Sequence, residues 1–142
     1  MNDSRHALIS LEERFAEDIL NGSKLVELRR RPMRLEIGTT VWMYAKVPVG
    51  KVIGSAQVRS LHTLSLNTLW RKYGGVSGLK RVEFFDYFAG IEKGFVLVLD
   101  KPRRISSPLS LEQLRSLESG FQPPQFFHHL ASDGALVNAL AG

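Results

Sequence analysis

Cysteine is absent from this chain of 142 residues, so the sequence offers neither disulfides nor thiolate metal ligands. Long hydrophobic runs are absent as well. The longest, residues 95–99, is far shorter than the roughly 20 residues that cross a membrane as a helix. Residues 1–5 lack the apolar core of a signal peptide. We therefore expect a cytoplasmic protein with no membrane partner.

Signatures of several enzyme classes are also missing. The sequence contains no glycine-rich phosphate loop, no serine nucleophile elbow and no zinc-deaminase motif. The histidines are scattered, and no pair has the spacing of a helical zinc site. We expect neither a metal nor another cofactor.

Positive charge is in excess, with 19 Lys and Arg against 14 Asp and Glu and a net charge of +5. Such a surplus attracts polyanions through a sequence-independent electrostatic effect. A basic surface without an anionic partner is the alternative. Clustering favours the anionic partner, because Arg103 and Arg104 are adjacent and a larger group comprises Arg29, Arg30, Arg31 and Arg34.

The segment before the larger group holds the main candidate site. Val26 and Leu28 alternate with Glu27 and Arg29, the period of a half-buried strand. Lys24 stands at the turn into that strand. It can be a phosphate clamp, a base if burial lowers its pKa, or a plain surface charge. For Glu27, an ion pair with Arg29 is the simple alternative to a functional role.

A second candidate surface lies on the predicted strand 41–46. Trp42, Tyr44 and Lys46 share one face of it, and aromatic rings beside a cation can stack an unpaired base. The alternative is that this face lines the inside of a barrel or is covered by a helix.

The remaining pattern predicts an α+β fold with a curved or closed sheet. Ser10 with Glu13, and Ser110 with Gln113, form capping-box patterns at two helix starts. Gly54 marks a bulge in a long strand that begins at residue 51. Helices are predicted near residues 65–73 and 80–89, the second with Val82, Phe85 and Phe88 facing inward. We expect one domain, residues 1–130, and a C-terminal tail, residues 131–142, either frayed or a short docked helix.

A helix followed by Gly-x-Lys-x-x-Glu-x-Arg, here Gly22, Lys24, Glu27 and Arg29, resembles the ASCH family of the PUA-like superfamily. The resemblance covers roughly residues 7–130, and its other motifs are similar to members described as transcription-associated regulators. It implies a PUA-like curved or closed mixed β-barrel with peripheral helices. It also implies a cleft, lined by the strand from Lys24 to Arg29, that binds RNA or a nucleotide-like ligand.

Two functions follow from this resemblance. The first is an RNA-binding or nucleotide-binding protein that regulates transcription or translation. Cationic residues would contact the phosphate, whereas Glu27 and a stacking aromatic ring would contact the base. The candidate ligand-binding residues are Lys24, Glu27, Arg29, Arg30, Arg31, Trp42, Tyr44 and Lys46.

The second is an enzyme acting on RNA or a modified nucleoside, ribonuclease-like or amidohydrolase-like, with Lys24 and Glu27 as catalytic acid/base pair. Some similar ASCH proteins hydrolyse N4-acetylcytidine with a lysine, a threonine and a loop glutamate. Lys24 matches the lysine, but Glu27 replaces the threonine and residues 74–79 contain no carboxylate. A third hypothesis places a protein-contact surface on the aromatic segment 121–127. The sequence leaves the oligomeric state open.

Overall fold

The computed structural model describes residues 5–142, which form one six-stranded mixed sheet with helices on both of its faces. The strands are β1 (His6–Leu11), β2 (Val26–Arg29), β3 (Thr40–Ala45), β4 (Lys51–Ser65), β5 (Lys93–Ser110) and β6 (Phe127–Leu130). Their order in the sheet is β2-β5-β4-β3-β1-β6. Only the β1–β3 pair is parallel among these strands.

In the described part of the chain, five α-helices surround the sheet. They are α1 (Glu13–Leu20), α2 (Leu66–Tyr73), α3 (Arg81–Tyr87), α4 (Leu111–Leu117) and α5 (Ala135–Ala141). The pair α2 and α3 is inserted between β4 and β5, as the change of hydrophobic period predicts. No helix within residues 5–142 has the length and apolar character needed to cross a membrane.

The α+β class is confirmed, but the sheet is open. Strands β2 and β6 stand at its two edges and do not pair with each other. The long strands β4 and β5 bend through register shifts, one of them between Val52 and Gly54 where the sequence predicts a bulge. A Cβ added at Gly54 would lie 2.8 Å from the carbonyl oxygen of Arg103, so only glycine fits there. A closed barrel is not confirmed.

Both faces of the sheet are buried. In β1, Ala7 and Ile9 pack into the core beneath α1, whereas Leu8 packs into a second cluster beneath α4 and α5. A third cluster lies beneath α2 and α3 and includes Phe84 and Phe88. This alternation follows from the period of two in a strand.

Two local expectations are wrong. Val82 is 66% exposed and Phe84 is fully buried, because Phe84 of α3 and Phe88 at its C-cap stand four residues apart on the side that meets the sheet. The capping box at Ser10 and Glu13 does not form. Ser10 belongs to β1 and its hydroxyl donates to the carbonyl of Pro124 at 2.7 Å, so α1 begins after Glu12 without a side-chain cap.

Other local expectations hold. The capping box of α4 forms, with the Gln113 amide donating to the Ser110 hydroxyl at 3.2 Å. Residues 131–142, predicted as a tail, contain α5, whose Leu136, Val137 and Leu140 are buried. Leu136 and Leu140 pack into the second cluster, beside Leu114 of α4.

Candidate functional site

Lys24 is held at the entry to β2 by backbone contacts on both sides. Its amide donates to the carbonyl of Asp18 at 3.0 Å, and the amide of Leu25 donates to Val76 at 2.8 Å. These bonds fix the turn between α1 and β2 against the segment that joins α2 to α3. The Lys24 side chain is consequently buried, with 3% of the residue exposed.

The surroundings of the Lys24 ammonium are mostly protein. Its Nζ donates to the carbonyl of Ser77, lies 3.4 Å from Glu27 Oε1 and stands 4.9 Å from the centre of the Phe15 ring. Burial lowers the pKa of Lys24 because it removes water from the charged form, and the attraction of Glu27 only partly offsets this. Lys24 is therefore able to release a proton more readily than an exposed lysine.

Glu27 joins Lys24 to Arg29. While Oε1 of Glu27 faces Lys24, Oε2 accepts a hydrogen bond from Arg29 Nε at 2.8 Å. Arg29 also donates to the carbonyl of Ser10 at 3.1 Å, which ties β2 to β1 across the cavity between them. The result is a buried row of cation, anion and cation, here called the Lys24–Glu27–Arg29 row.

The row lines a cavity of about 280 Å³. Exposed Arg14 and Lys46 also line it, so the cavity reaches the surface on that side. The phenol of Tyr87 lines it too and donates to the carbonyl of Leu28 at 3.3 Å. Burial raises the pKa of Tyr87, so this phenol keeps its proton at neutral pH.

A comparison of the whole chain identifies the family. No family model matches, but the chain is 39% identical over 123 residues to the ASCH domain-containing ribonuclease of Zymomonas mobilis, covering 87% of this chain and 82% of the relative. The chain belongs to the ASCH domain family.

Solved structures agree with this assignment. The crystal structure of the ASCH protein from Zymomonas mobilis is 37% identical, with a TM-score of 0.89 over 94% of each chain. The structure of a serine-to-alanine variant of the same protein is 35% identical, with a TM-score of 0.90 over 99% of this chain and 98% of that one. The N-terminal domain of Staphylothermus marinus McrB shares the fold alone, at 12% identity, with a TM-score of 0.60 over 99% of this chain and 97% of that one.

The structure gathers half of the candidate residues in this ASCH chain and separates the others. Lys24, Glu27, Arg29 and Lys46 line the cavity. Arg30 instead donates to the carbonyls of Tyr87 and Ala89, both at 2.8 Å, and so attaches the end of α3 to β2. The guanidinium of Arg31 lies 4.7 Å from the centre of the Phe126 ring.

Trp42 and Tyr44 lie away from this cavity. They are 6% and 3% exposed and pack into the cluster beneath α4 and α5. The predicted stacking face is therefore covered by helices, which is the alternative that the sequence left open. Phe126 and Phe127 are half-buried and pack against the main core, so they do not form a freely exposed patch.

Four charged or phenolic residues of the cavity were not among the predicted site residues: Glu12, Arg14, Glu83 and Tyr87. Arg14 of α1 forms an ion pair with Glu83 of α3 at 2.8 Å, although 69 residues separate them in sequence. The carboxylate that residues 74–79 do not offer is thus supplied at the cavity by α3. No local sequence pattern predicts this ion pair, because each of the two residues has the pattern of an ordinary exposed charge on a helix.

Within residues 5–142, no three His, Asp or Glu side chains are grouped closely enough to hold a metal ion. The cavity itself presents amine, carboxylate, guanidinium and phenol groups.

Proposed function

We propose that this ASCH protein binds RNA at the cavity of the Lys24–Glu27–Arg29 row and cleaves it, with Lys24 as the general base. The observation that carries the proposal is a buried amine, 3.4 Å from a carboxylate, at a cavity that opens to solvent between cationic residues. The similarity to a relative named as a ribonuclease supports RNA as the substrate.

Hydrogen bonding explains how Lys24 would act as a base. A neutral amine keeps two N–H donors, and its neighbours supply two acceptors, the Ser77 carbonyl and Glu27. Its lone pair then stays available for a proton. After protonation, the nearby carboxylate of Glu27 stabilises the ammonium.

The reaction is an internal transesterification of RNA. Lys24 removes the proton of a ribose 2′-hydroxyl, the 2′-oxygen bonds to the adjacent phosphorus, and the bond from phosphorus to the 5′-oxygen breaks. The protonated Lys24 returns the proton to the departing 5′-oxygen, so that a 2′,3′-cyclic phosphate and a 5′-hydroxyl are formed. Arg29 and Lys46, which line the same cavity, would stabilise the charge that develops on the phosphate.

Binding without cleavage is a second candidate, and one contact favours it. Glu27 pairs with both Lys24 and Arg29, an arrangement that also serves to orient Arg29. An RNA-binding regulator of transcription or translation would need this orientation and no turnover.

Cleavage of labelled single-stranded RNA separates the two candidates. We expect Lys24→Met and Lys24→Arg to lose about a hundredfold or more of the cleavage rate, the usual effect of removing a general base. Lys93→Met, which changes an exposed lysine at the start of β5, should leave the rate unchanged. An RNA with 2′-deoxyribose at the cleaved position should resist cleavage by the parent.

The opposite results are informative as well. Full activity in Lys24→Met would contradict the role of Lys24. RNA binding by the parent without turnover, with an affinity that falls steeply as salt rises, would favour the regulator. If no RNA bound even at low salt, both candidates would be rejected.

A further inference from the structure

A second cavity, of about 530 Å³, lies at the opposite end of the sheet. We propose that it binds the phosphate group of a nucleotide, either one unit of an RNA strand or a free mononucleotide. Its volume lies within the range of typical small-ligand pockets, roughly 300–1,000 Å³.

Strand β1 separates this second cavity from the first. His6, at the start of β1, lines the second cavity, whereas Ser10 and Leu11, at its end, line the first. With a rise of about 3.3 Å per residue, His6 and Leu11 are roughly 17 Å apart. The two cavities are therefore separate sites.

The charged groups around the second cavity favour an anion. Among residues 5–142, Lys101, Arg103 and Arg104 line it and no Asp or Glu side chain does, so that the carboxylate of Gly142 is the one negative group in its lining. Arg104 is already paired with Glu17, 2.7 Å away. Lys101 and Arg103 are exposed and have no carboxylate within 4.0 Å among residues 5–142. By contrast, the first cavity holds three carboxylates beside its cations, namely Glu12, Glu27 and Glu83.

The backbone at Lys101 is unusual. Its φ is +50°, the left-handed region that side chains other than glycine seldom adopt. Residues held in such conformations are enriched at ligand sites, where the surrounding structure maintains them. Lys101 therefore keeps a strained backbone while its ammonium stands at the cavity.

His6 supplies a buried polar group in the cavity wall. It is 8% exposed, and its Nδ1 accepts a hydrogen bond from the indole of Trp42 at 3.0 Å. A neutral imidazole that accepts at Nδ1 carries its proton on Nε2. Within residues 5–142 the His6 ring makes its hydrogen bond through Nδ1, and no unpartnered side-chain nitrogen is fully buried, so Nε2 is accessible to solvent and available as a donor to a ligand oxygen. Burial lowers the pKa of His6, which favours the neutral ring that accepts from Trp42.

Matched double variants test the proposal. In Lys101→Gln/Arg103→Gln both free cations are neutralised without a change of backbone preference. Its control is Arg71→Gln/Lys72→Gln, which removes equal charge from exposed residues of α2 that line neither cavity. The full chain is used without a tag, because Gly142 lines the second cavity.

The probes are AMP, adenosine and a 12-nucleotide single-stranded RNA. Affinity is measured over a range of salt concentrations, and the imidazole signals of His6 are followed by NMR. For each phosphate-bearing probe that binds the parent, we expect the cavity variant to lose at least tenfold in affinity and the control much less. For RNA, loss of two phosphate contacts should reduce the salt slope by about 1.4. Adenosine should not shift the His6 signals.

The two sources of phosphate are distinguished by which probe shifts His6. A shift with AMP indicates a free mononucleotide, and a shift with RNA alone indicates a strand. Equal losses in the cavity variant and its control, or His6 signals that neither probe moves at saturation, would overturn the proposal. Lys24→Met should leave the His6 shift intact, so failure of RNA cleavage and failure of the second site are separable.

Discussion

Removal of the carboxylate of Glu27 is expected to destabilise the protein strongly. Glu27→Gln keeps an amide oxygen that can still accept from Arg29 but leaves the Lys24 ammonium buried without an opposite charge. At the observed 3.4 Å, the attraction between Lys24 and Glu27 is worth about 5 kcal/mol with an effective dielectric constant of about 20. Measured losses for broken buried pairs are about 3–5 kcal/mol.

The loss of stability in Glu27→Gln has an upper limit, because Lys24 can release its proton instead of remaining charged. From the ordinary lysine pKa of 10.5, this release costs about 1.36 kcal/mol for each pH unit below that value. The limit for Lys24 is therefore about 5 kcal/mol at pH 7 and about 2 kcal/mol at pH 9.

The pH dependence has a definite sign. Burial lowers the pKa of Lys24, so between its folded pKa and 10.5 the unfolded chain binds more protons, and stability rises with pH in that window. Without the carboxylate of Glu27 the pKa of Lys24 falls further, so the pH range over which stability rises becomes wider. The difference in stability between the parent and Glu27→Gln should therefore shrink as pH rises from 7 to 9.

Urea unfolding at pH 7 and pH 9 measures this difference. Glu36→Gln is the control, because Glu36 forms an exposed pair with Arg5, with side chains 67% and 60% exposed, and should change stability little. Lys24→Met/Glu27→Gln should recover much of the loss, since it removes both charges. A loss below about 0.5 kcal/mol at pH 7, or one that does not change by pH 9, would refute this account.

Three further predictions concern Lys24 and α3. Because neutral Lys24 is the proposed base, the cleavage rate should rise with pH through its lowered pKa, and a flat profile would contradict this role. Gly78→Ala places a Cβ 3.2 Å from Lys24 Cδ and should slow cleavage. Gly90→Ala is the control, because Gly90 has a similar positive φ but no atom near its added Cβ, and its cleavage rate should not change. Equal cleavage rates in the two variants would contradict a role for the contact between residue 78 and Lys24. Phe84→Ala should cost about 3–5 kcal/mol in urea unfolding and Val82→Ala much less, since Val82 is exposed.

Local sequence pattern predicted many of the elements. The alternation around Glu27 gave β2, the capping box at Ser110 gave the start of α4, and Gly54 gave the bend in β4. Each depends on neighbours within a few residues. The Ser10 cap failed because the long-range pairing of β1 includes Ser10 in a strand.

Burial of Lys24 could not be predicted in the same way. Its carbonyl partner, Ser77, is 53 residues away and stands between α2 and α3. Likewise, the helices that cover Trp42 and Tyr44 come from the C-terminal part of the chain. A strand pattern reveals that a face is apolar, but not which element will cover it.

The sequence by itself determined the α+β class and placed Lys24, Glu27 and Arg29 together at β2, because their spacing within one short segment leaves them few ways to separate. Only the tertiary structure decided that Lys24 is buried, that Arg14 and Glu83 meet beside it, and that Lys101 and Arg103 line a separate cavity with His6. The physical reason is that burial and charge pairing arise from contacts between elements that are distant in sequence, and such contacts leave no local pattern.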